Sequence, residues 1–346
     1  MTGLTCPTSP TGQRSFKMKQ LMIIGIIVCL SGCIGQQKVC YDNCLLMDTI
    51  AEIKVIGGEK KEAKKVIDAA FNRMQEIEKI ASFRDPKSEL SKINQQADKS
   101  LVDVSYEICE ILKESLKYSK ITEGAFDVTI GSLSGLWNFG SATAPPTRMK
   151  IIDSALLVGY EDVKFDINKR QVSFGRKGMK IDLGNVIRGY AVEEAAKVLT
   201  NAGYHNFLIN FGSNIKAMGT NQWGFPWKVG IRHSRSMNNI LTTLKLQDMA
   251  VATSGDYEHY FISDGQRYHH IMDPQSGYPV SNGCVSVTII TPSAFVADIL
   301  STAVFVLGQK AGMDLIEDLE QVEGIIVTDK DILVSSGLTE KIQVKK

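Results

Sequence analysis

Histidine is scarce in this 346-residue chain, with five in all. Two of them, His269 and His270, nevertheless stand side by side just before an Asp-Pro turn. Charge of one sign is also missing. A net charge of +1 leaves no field to hold nucleic acid or an acidic membrane surface, and no long basic tract offsets it. No internal repeat is visible, so solenoids and propellers are excluded. The seven cysteines contain no pair at zinc-finger spacing, which argues against a cysteine-bound metal. No serine sits in a nucleophile-elbow context and no GxGxxG is present, so a hydrolase triad and a Rossmann site are both disfavoured.

What remains is an ordinary globular composition, 44% apolar, able to bury one large domain or two intimate ones. The beginning of the chain reads as processing information. MKQLMIIGIIVCLSGC, 18–33, has a basic start, an apolar run too short for a comfortable membrane span and a small-residue junction. LSGC resembles a bacterial lipoprotein signal, in which Cys33 is lipidated and becomes the mature N-terminus. The polar residues before Met18 are badly placed ahead of an export signal, so Met18 is the expected start. A plain N-terminal anchor helix is the alternative. The expected organisation is a signal region over 1–33, a tether over 34–46 and one catalytic domain over 47–346. Cys40 and Cys44 are near enough in sequence to pair in an oxidising compartment, whereas Cys109 and Cys284 read as core.

Apolar residues recur from Ala63 to Ile80 at the spacing of an amphipathic helix over 60–82, and Ile108, Ile111, Leu112 and Leu116 mark a second. The glycine- and aromatic-rich 124–140 segment reads as a structured loop, and ATAPPT, 142–147, as a surface excursion. Residues 180–199 read as a short strand, a tight turn and a helix. Strands follow over 207–219 and in WKVGI, LTTLKL, MAVATS, HYFIS and CVSVTIIT, with SDGQ as a hairpin turn. A helix at 297–308 and a closing hairpin complete a mixed order, which favours α+β with antiparallel sheets and packed helices.

Several stretches can carry chemistry. DLGNVIRGYA places Asp182 before a glycine turn and a helix start, where free N–H groups suit a phosphate; ordinary capping explains it equally. Asp298 and Thr302 share one helix face. Asp298 is the only charge between Thr291 and Gln309, so it needs a cation or a hydrogen-bond network; hard oxygen donors of this kind suit Mg²⁺. ATSGDYEHYF, 252–261, either presents polar groups to a ligand or simply links strands. In YHHIM, strand alternation sends His269 and His270 to opposite faces. An imidazole there, beside Asp273, suits a general base.

LMDT (46–49), SFRDPKSELSKIN (82–94), EGAFDVTIGSLSGLWNFG (123–140), DLGNVIRGYA, ATSGDYEHYF, YHHIMDPQSGYP and ADILSTAVFVLG together resemble the ApbE family, the FAD:protein FMN transferases. The resemblance runs from about Met47 to the last strands. It implies a T-fold-related α+β architecture with FAD in a cleft between subdomains. It also implies an Mg²⁺-dependent enzyme that cleaves FAD, releases AMP and joins FMN through its phosphate to a Thr or Ser of an exported or membrane redox protein. Met47, Phe83, Ala125, Phe126, Asp127, Asp182, Arg188, Ile271 and Met272 match positions lining the FAD site. Asp298, Thr302 and the carbonyl of Asn185 match the metal ligands, and His270 the base that takes the acceptor hydroxyl proton. Asp48 stands where the family commonly has glycine, Arg188 where it often has lysine. Gly212-Ser213-Asn214 replaces a Gly-Gly-Asp turn, losing a carboxylate. An FAD pyrophosphatase releasing FMN and AMP, and a flavin-binding lipoprotein without chemistry, are the alternatives. The expected location is the outer face of the bacterial cell membrane, or the outer membrane where there is one, with Cys33 as the lipid anchor.

Overall fold

The computed structural model describes residues 37–339. Its backbone is one antiparallel sheet of eight strands. Neighbours in order are Val39–Leu46, Thr49–Ile56, Phe207–Phe211, Asn214–Met218, Met249–Gly255, Cys284–Thr291, Glu323–Thr328 and Ile332–Val334. Cys284–Thr291 is buried along its whole length because both faces of the sheet are covered, which explains its unbroken apolar run. Helices Lys60–Ala81, Ile187–Asn201 and Ala294–Leu307 share the core on one face with Ile53, Val55, Ile209, Ala252 and Ile289. The hairpin of Trp227–His233 and Ser236–Leu246 covers the other, where Trp227, Val229 and Leu244 pack on Ala217, Val251 and Ile290. Together these elements make the α+β architecture expected.

Lys60–Ala81 buries Ala63, Ile67, Ala70, Phe71, Met74 and Ile77, the stripe its periodicity announces. Ala294–Leu307 is enclosed nearly all round; Ser293 caps it by accepting from Val296 N–H, and Gly308 ends it at φ 81°. In the Ser263–Gln266 hairpin, Asp264 and Gly265 both take positive φ, as a two-residue turn requires.

Three expectations are corrected, and the pairing of Cys40 with Cys44, left open by the sequence, is answered. Residues 34–46 are not a tether throughout, because Val39–Leu46 is the edge strand, fully paired with Thr49–Ile56. Its alternation is mixed in polarity, which hides it in the sequence: Asp42 shares the inner side with Cys40, Cys44 and Leu46 and is ion-paired to Lys64, while Tyr41 and Leu45 face out. Cys40 and Cys44 lie on the same face of that strand, about 13 Å apart, beyond the roughly 7 Å a disulfide spans; both are free thiols. Residues 180–183 make one isolated bridge, Lys180 to Ile130, rather than a strand. Within the 124–140 segment, Gly131–Trp137 is helical, anchored by Trp137, whose indole N–H donates to the Gly277 carbonyl at 2.9 Å. The signal region and Cys33 lie outside the described residues.

Candidate active site

A cleft of about 1110 Å³ opens where the Leu46–Thr49 hairpin turn, the Gly212-Ser213 turn, the start of helix Ile187–Asn201 and the 257–259 loop converge. Met47, Phe83, Asp182, Asn185, Arg188 and His270 line it, so six of the site residues expected from sequence meet in one place. Ala125, Phe126, Asp127, Ile271 and Met272 do not line it, and Asp298 and Thr302 lie buried behind its wall rather than on it. Phe126, Ile271 and Met272 are core residues. The Asp127 carboxylate is spent on its own loop: it accepts from Thr129 N–H and Oγ1 at 2.8 and 2.6 Å and from Tyr160 N–H at 2.9 Å. It therefore shapes the chain behind the cleft instead of presenting a charge to a ligand.

The cleft's turns have physical reasons. Met47 and Asp48 stand at φ 44° and 59°, closing a two-residue hairpin. Glycine suits such a position, and aspartate is among the few residues that tolerate it. Glu78 holds the turn by accepting from Met47 N–H at 2.9 Å. Asp182 stiffens the next turn by accepting from Gly184 N–H at 2.9 Å.

Gly189 governs the packing behind the cleft wall. A Cβ there would lie 2.5 Å from the Ala294 carbonyl oxygen and 2.6 Å from Asp298 Cβ, so only glycine lets helices Ile187–Asn201 and Ala294–Leu307 cross this closely. The crossing lets Gly189 N–H donate to Asp298 Oδ2 at 2.9 Å. A continuing helix would direct that N–H to the carbonyl of Asn185, four residues back, so the Asn185 carbonyl is left without that partner. Asp298 is thus both the cap of one helix and a buried acid on the next. Burial drives its pKa up to about 6, against the opposing pull of Arg188, the Gly189 N–H and Asn214. Asn214 comes close enough to influence it but makes no bond of hydrogen-bond geometry, and both polar atoms of its buried amide are unpartnered. Thr302 Oγ1 has only long contacts, 3.4 Å to Ser254 Oγ and 3.5 Å to the Asp298 carbonyl. A buried carboxylate, a loosely engaged hydroxyl, a released carbonyl and an orphaned amide form a donor set that fits a small hard cation. No cluster of three His, Cys, Asp or Glu side chains able to hold a metal occurs among the described residues.

The two histidines part as alternation requires. His269 is buried, its Nε2 3.0 Å from the Val280 carbonyl, its Nδ1 accepting from Ile271 N–H at 3.3 Å, its ring against Phe305. Burial lowers its pKa, so it is a neutral structural residue. His270 lines the cleft; its backbone N–H donates to the His259 carbonyl at 2.9 Å, and its ring meets the His259 ring edge to face. Its Nδ1 is enclosed without a partner. Burial first, then His259, His269 and Arg188, push its pKa down to about 3. Asp273 is not its carboxylate partner. That side chain accepts from Gln275 and Ser276 N–H groups at 3.0 and 3.3 Å and closes the Asp-Pro turn.

Sequence reasoning did not single out Glu78, Arg84, Phe139, Tyr257, Glu258 or His259, all of which line the cleft. Five of these lie inside stretches already marked as characteristic, Arg84 in SFRDPKSELSKIN, Phe139 in EGAFDVTIGSLSGLWNFG and the last three in ATSGDYEHYF, so the signal was regional rather than residue by residue.

Known proteins show where this arrangement recurs. The ApbE family profile matches residues 47–326. The FAD:protein FMN transferase of Vibrio cholerae is 32% identical over 302 residues, covering 86% of this chain and 90% of that protein. The FAD:protein FMN transferase of Haemophilus influenzae is 28% identical over 328 residues, covering 92% and 95%. Among solved structures, the ApbE protein of Thermotoga maritima has a TM-score of 0.81 at 32% identity, covering 88% of this chain and 99% of that one. The flavin transferase ApbE from Vibrio cholerae gives 0.78 at 28% identity, with the same coverage. From the cleft's first turn at Met47 to the penultimate strand of the sheet, the chain belongs to the ApbE family.

Proposed function

We propose that the protein is an Mg²⁺-dependent FAD:protein FMN transferase. FAD lies in the cleft. The acceptor is a Thr or Ser hydroxyl of an exported or membrane redox protein. The observation that carries this reading is the meeting of His270, Arg188, Asp182 and Asn185 on one cleft directly beside buried Asp298.

In the reaction a P–O bond forms between the FMN phosphorus and the acceptor oxygen. The P–O bond joining that phosphorus to the bridging oxygen of AMP breaks, and AMP leaves with the bond's electron pair. Asp298, Thr302 and the Asn185 carbonyl would hold Mg²⁺, which supplies charge neutralisation at the pyrophosphate. Arg188, half-buried at the cleft wall, adds a fixed positive charge toward the same phosphates. His270 takes the proton of the attacking hydroxyl. Since Nδ1 is enclosed, Nε2 is the nitrogen left to receive it. The aromatic faces of Phe83 and Phe139 suit the flavin ring or the adenine.

We further propose that the chain is exported through the 18–33 signal and anchored by lipid on Cys33. This rests on the sequence pattern of that segment.

The test follows AMP release and acceptor mass with FAD, Mg²⁺ and a candidate acceptor domain. Acceptor gaining one FMN mass, with AMP in equal amount, supports transfer, and Asp298→Ala should abolish both. AMP and free FMN without acceptor would reassign the protein as an FAD pyrophosphatase. FAD binding without either product would leave a flavin binder.

A further inference from the structure

The loop Asn221–Pro226 exposes two large aromatic side chains, Trp223 at 50% and Phe225 at 63%. The two rings stand two positions apart on one short loop, and the loop's hydrogen bonds fix the backbone that carries them. Asn221 Oδ1 accepts from both Trp223 and Phe225 N–H, at 3.0 and 3.3 Å, and its Nδ2 donates to the Pro226 carbonyl at 3.2 Å. Asn221 N–H donates to the Phe225 carbonyl at 2.8 Å, and Gly224 N–H to the Asn221 carbonyl at 2.9 Å. One asparagine thus satisfies most of the loop's backbone from within. That is the requirement for backbone that leaves water for a less polar phase.

The loop's position names the phase. Gln37 N–H donates to the Gln222 carbonyl at 3.1 Å, so the chain enters the fold against the residue preceding Trp223. Cys33 is four residues upstream of Gln37, a reach of at most about 14 Å even fully extended. A lipid on Cys33 therefore cannot lie far from Trp223 and Phe225. Tryptophan and other aromatic rings favour the bilayer's interfacial layer, with an apolar body below and a polar edge above. The edge strand Val39–Leu46 runs from this end of the fold to the cleft, where Met47 lines the wall. Its eight residues span about 26 Å.

We propose that the Asn221–Pro226 loop is a membrane-contact element, with Trp223 and Phe225 seated in the interfacial layer of the bilayer that anchors Cys33. The cleft then stands off the lipid at the far end of the edge strand, open to a protein acceptor. This inference rests on the lipid-anchor reading of Cys33.

The three tryptophans make the test specific, because Trp137 and Trp227 are buried and only Trp223 is exposed. Full-length lipidated protein is reconstituted in phosphatidylethanolamine–phosphatidylglycerol vesicles, with or without acyl chains brominated near the headgroup. The mass at Cys33 is checked in the same preparation. The expected result is a blue-shifted emission that bromine quenches, with the quenched component missing in Trp223→Phe. That variant, outside the cleft, should keep wild-type turnover on a soluble acceptor, which reports an intact fold. Lipidated protein that floats with vesicles yet shows no quenching overturns the loop's role while the anchor stands. Absence of lipid on Cys33 overturns the anchor, and the inference with it. A blue shift that follows protein concentration rather than lipid assigns the loop to contact between copies, and also overturns it.

Discussion

His269 and His270 differ by one position and meet opposite surroundings, because one step along an extended chain separates a packed core from the cleft wall. His270 is neutral across the physiological range, with a folded pKa near 3 against 6.5 for an ordinary histidine. Between those values the unfolded chain binds the extra proton. The stability contributed by the neutral ring is therefore complete above about pH 6.5 and is lost as the pH falls toward 3. In His270→Gln, thermal unfolding followed from pH 7 to pH 4 should show a shallower loss of Tm than wild type. The same variant should bind FAD normally and transfer FMN roughly 10²-fold more slowly, the usual scale of general acid–base help. An unchanged Tm slope would mean that the ring is not held neutral by burial, and unchanged transfer would remove it from proton handling. At this scale the sequence was readable where spacing alone decides, as with the alternation of the pair. It was not readable where a side chain's partner decides. Asp273 looks like an acid for the histidine and turns out to cap its own turn, and Asp127 looks like a ligand and is consumed by Thr129 and Tyr160.

Among elements, the crossing of Ile187–Asn201 and Ala294–Leu307 links fold to chemistry. Gly189 brings the helices together, Asp298 receives its N–H, and the Asn185 carbonyl is freed. Gly189→Ala forces a methyl group into the Ala294 carbonyl and Asp298. Chemical denaturation should register a loss of about 1–3 kcal/mol, the range for overpacking a tight interface. Since the same shift displaces Asp298, the rise in Tm that the proposed Mg²⁺ site predicts for the wild type should be absent from the variant. A variant that loses stability but keeps the full Mg²⁺ response would show that the crossing is structural only. Long elements with a clear period, Lys60–Ala81 and Tyr106–Ile121 above all, were legible from spacing. Glu89–Gln96, Arg148–Ala155 and Gln309–Asp318 were not, since two or three turns carry too few apolar positions to set a period. The small sheet of Val102–Asp103, Val163–Asp166 and Gln171–Phe174 escaped for the same reason; strands of two to four residues show no alternation that chance would not.

For the whole molecule, the question is where the folded body begins. The family profile starts at Met47, yet the sheet begins at Val39, and the strand between them carries the first wall of the cleft on its end. A chain starting at Met47 would lose the burial of Cys40 and Leu46 and the whole register that pairs Val39–Leu46 with Thr49–Ile56. Thr49–Ile56 would become a bare edge, open to pairing with other chains. Burial of a leucine alone contributes about 1.5–3 kcal/mol, so truncation to Met47 should cost about 3 kcal/mol or more relative to a chain starting at Gln37. The Met47–Asp48 turn would also lose one of its two arms, and FAD affinity should fall with stability. Urea denaturation midpoints and flavin fluorescence titrations on the two chains measure both. Equal midpoints and equal affinities would return residues 39–46 to the status of a tether. A joint loss would establish Val39–Leu46 as part of the enzyme's working wall.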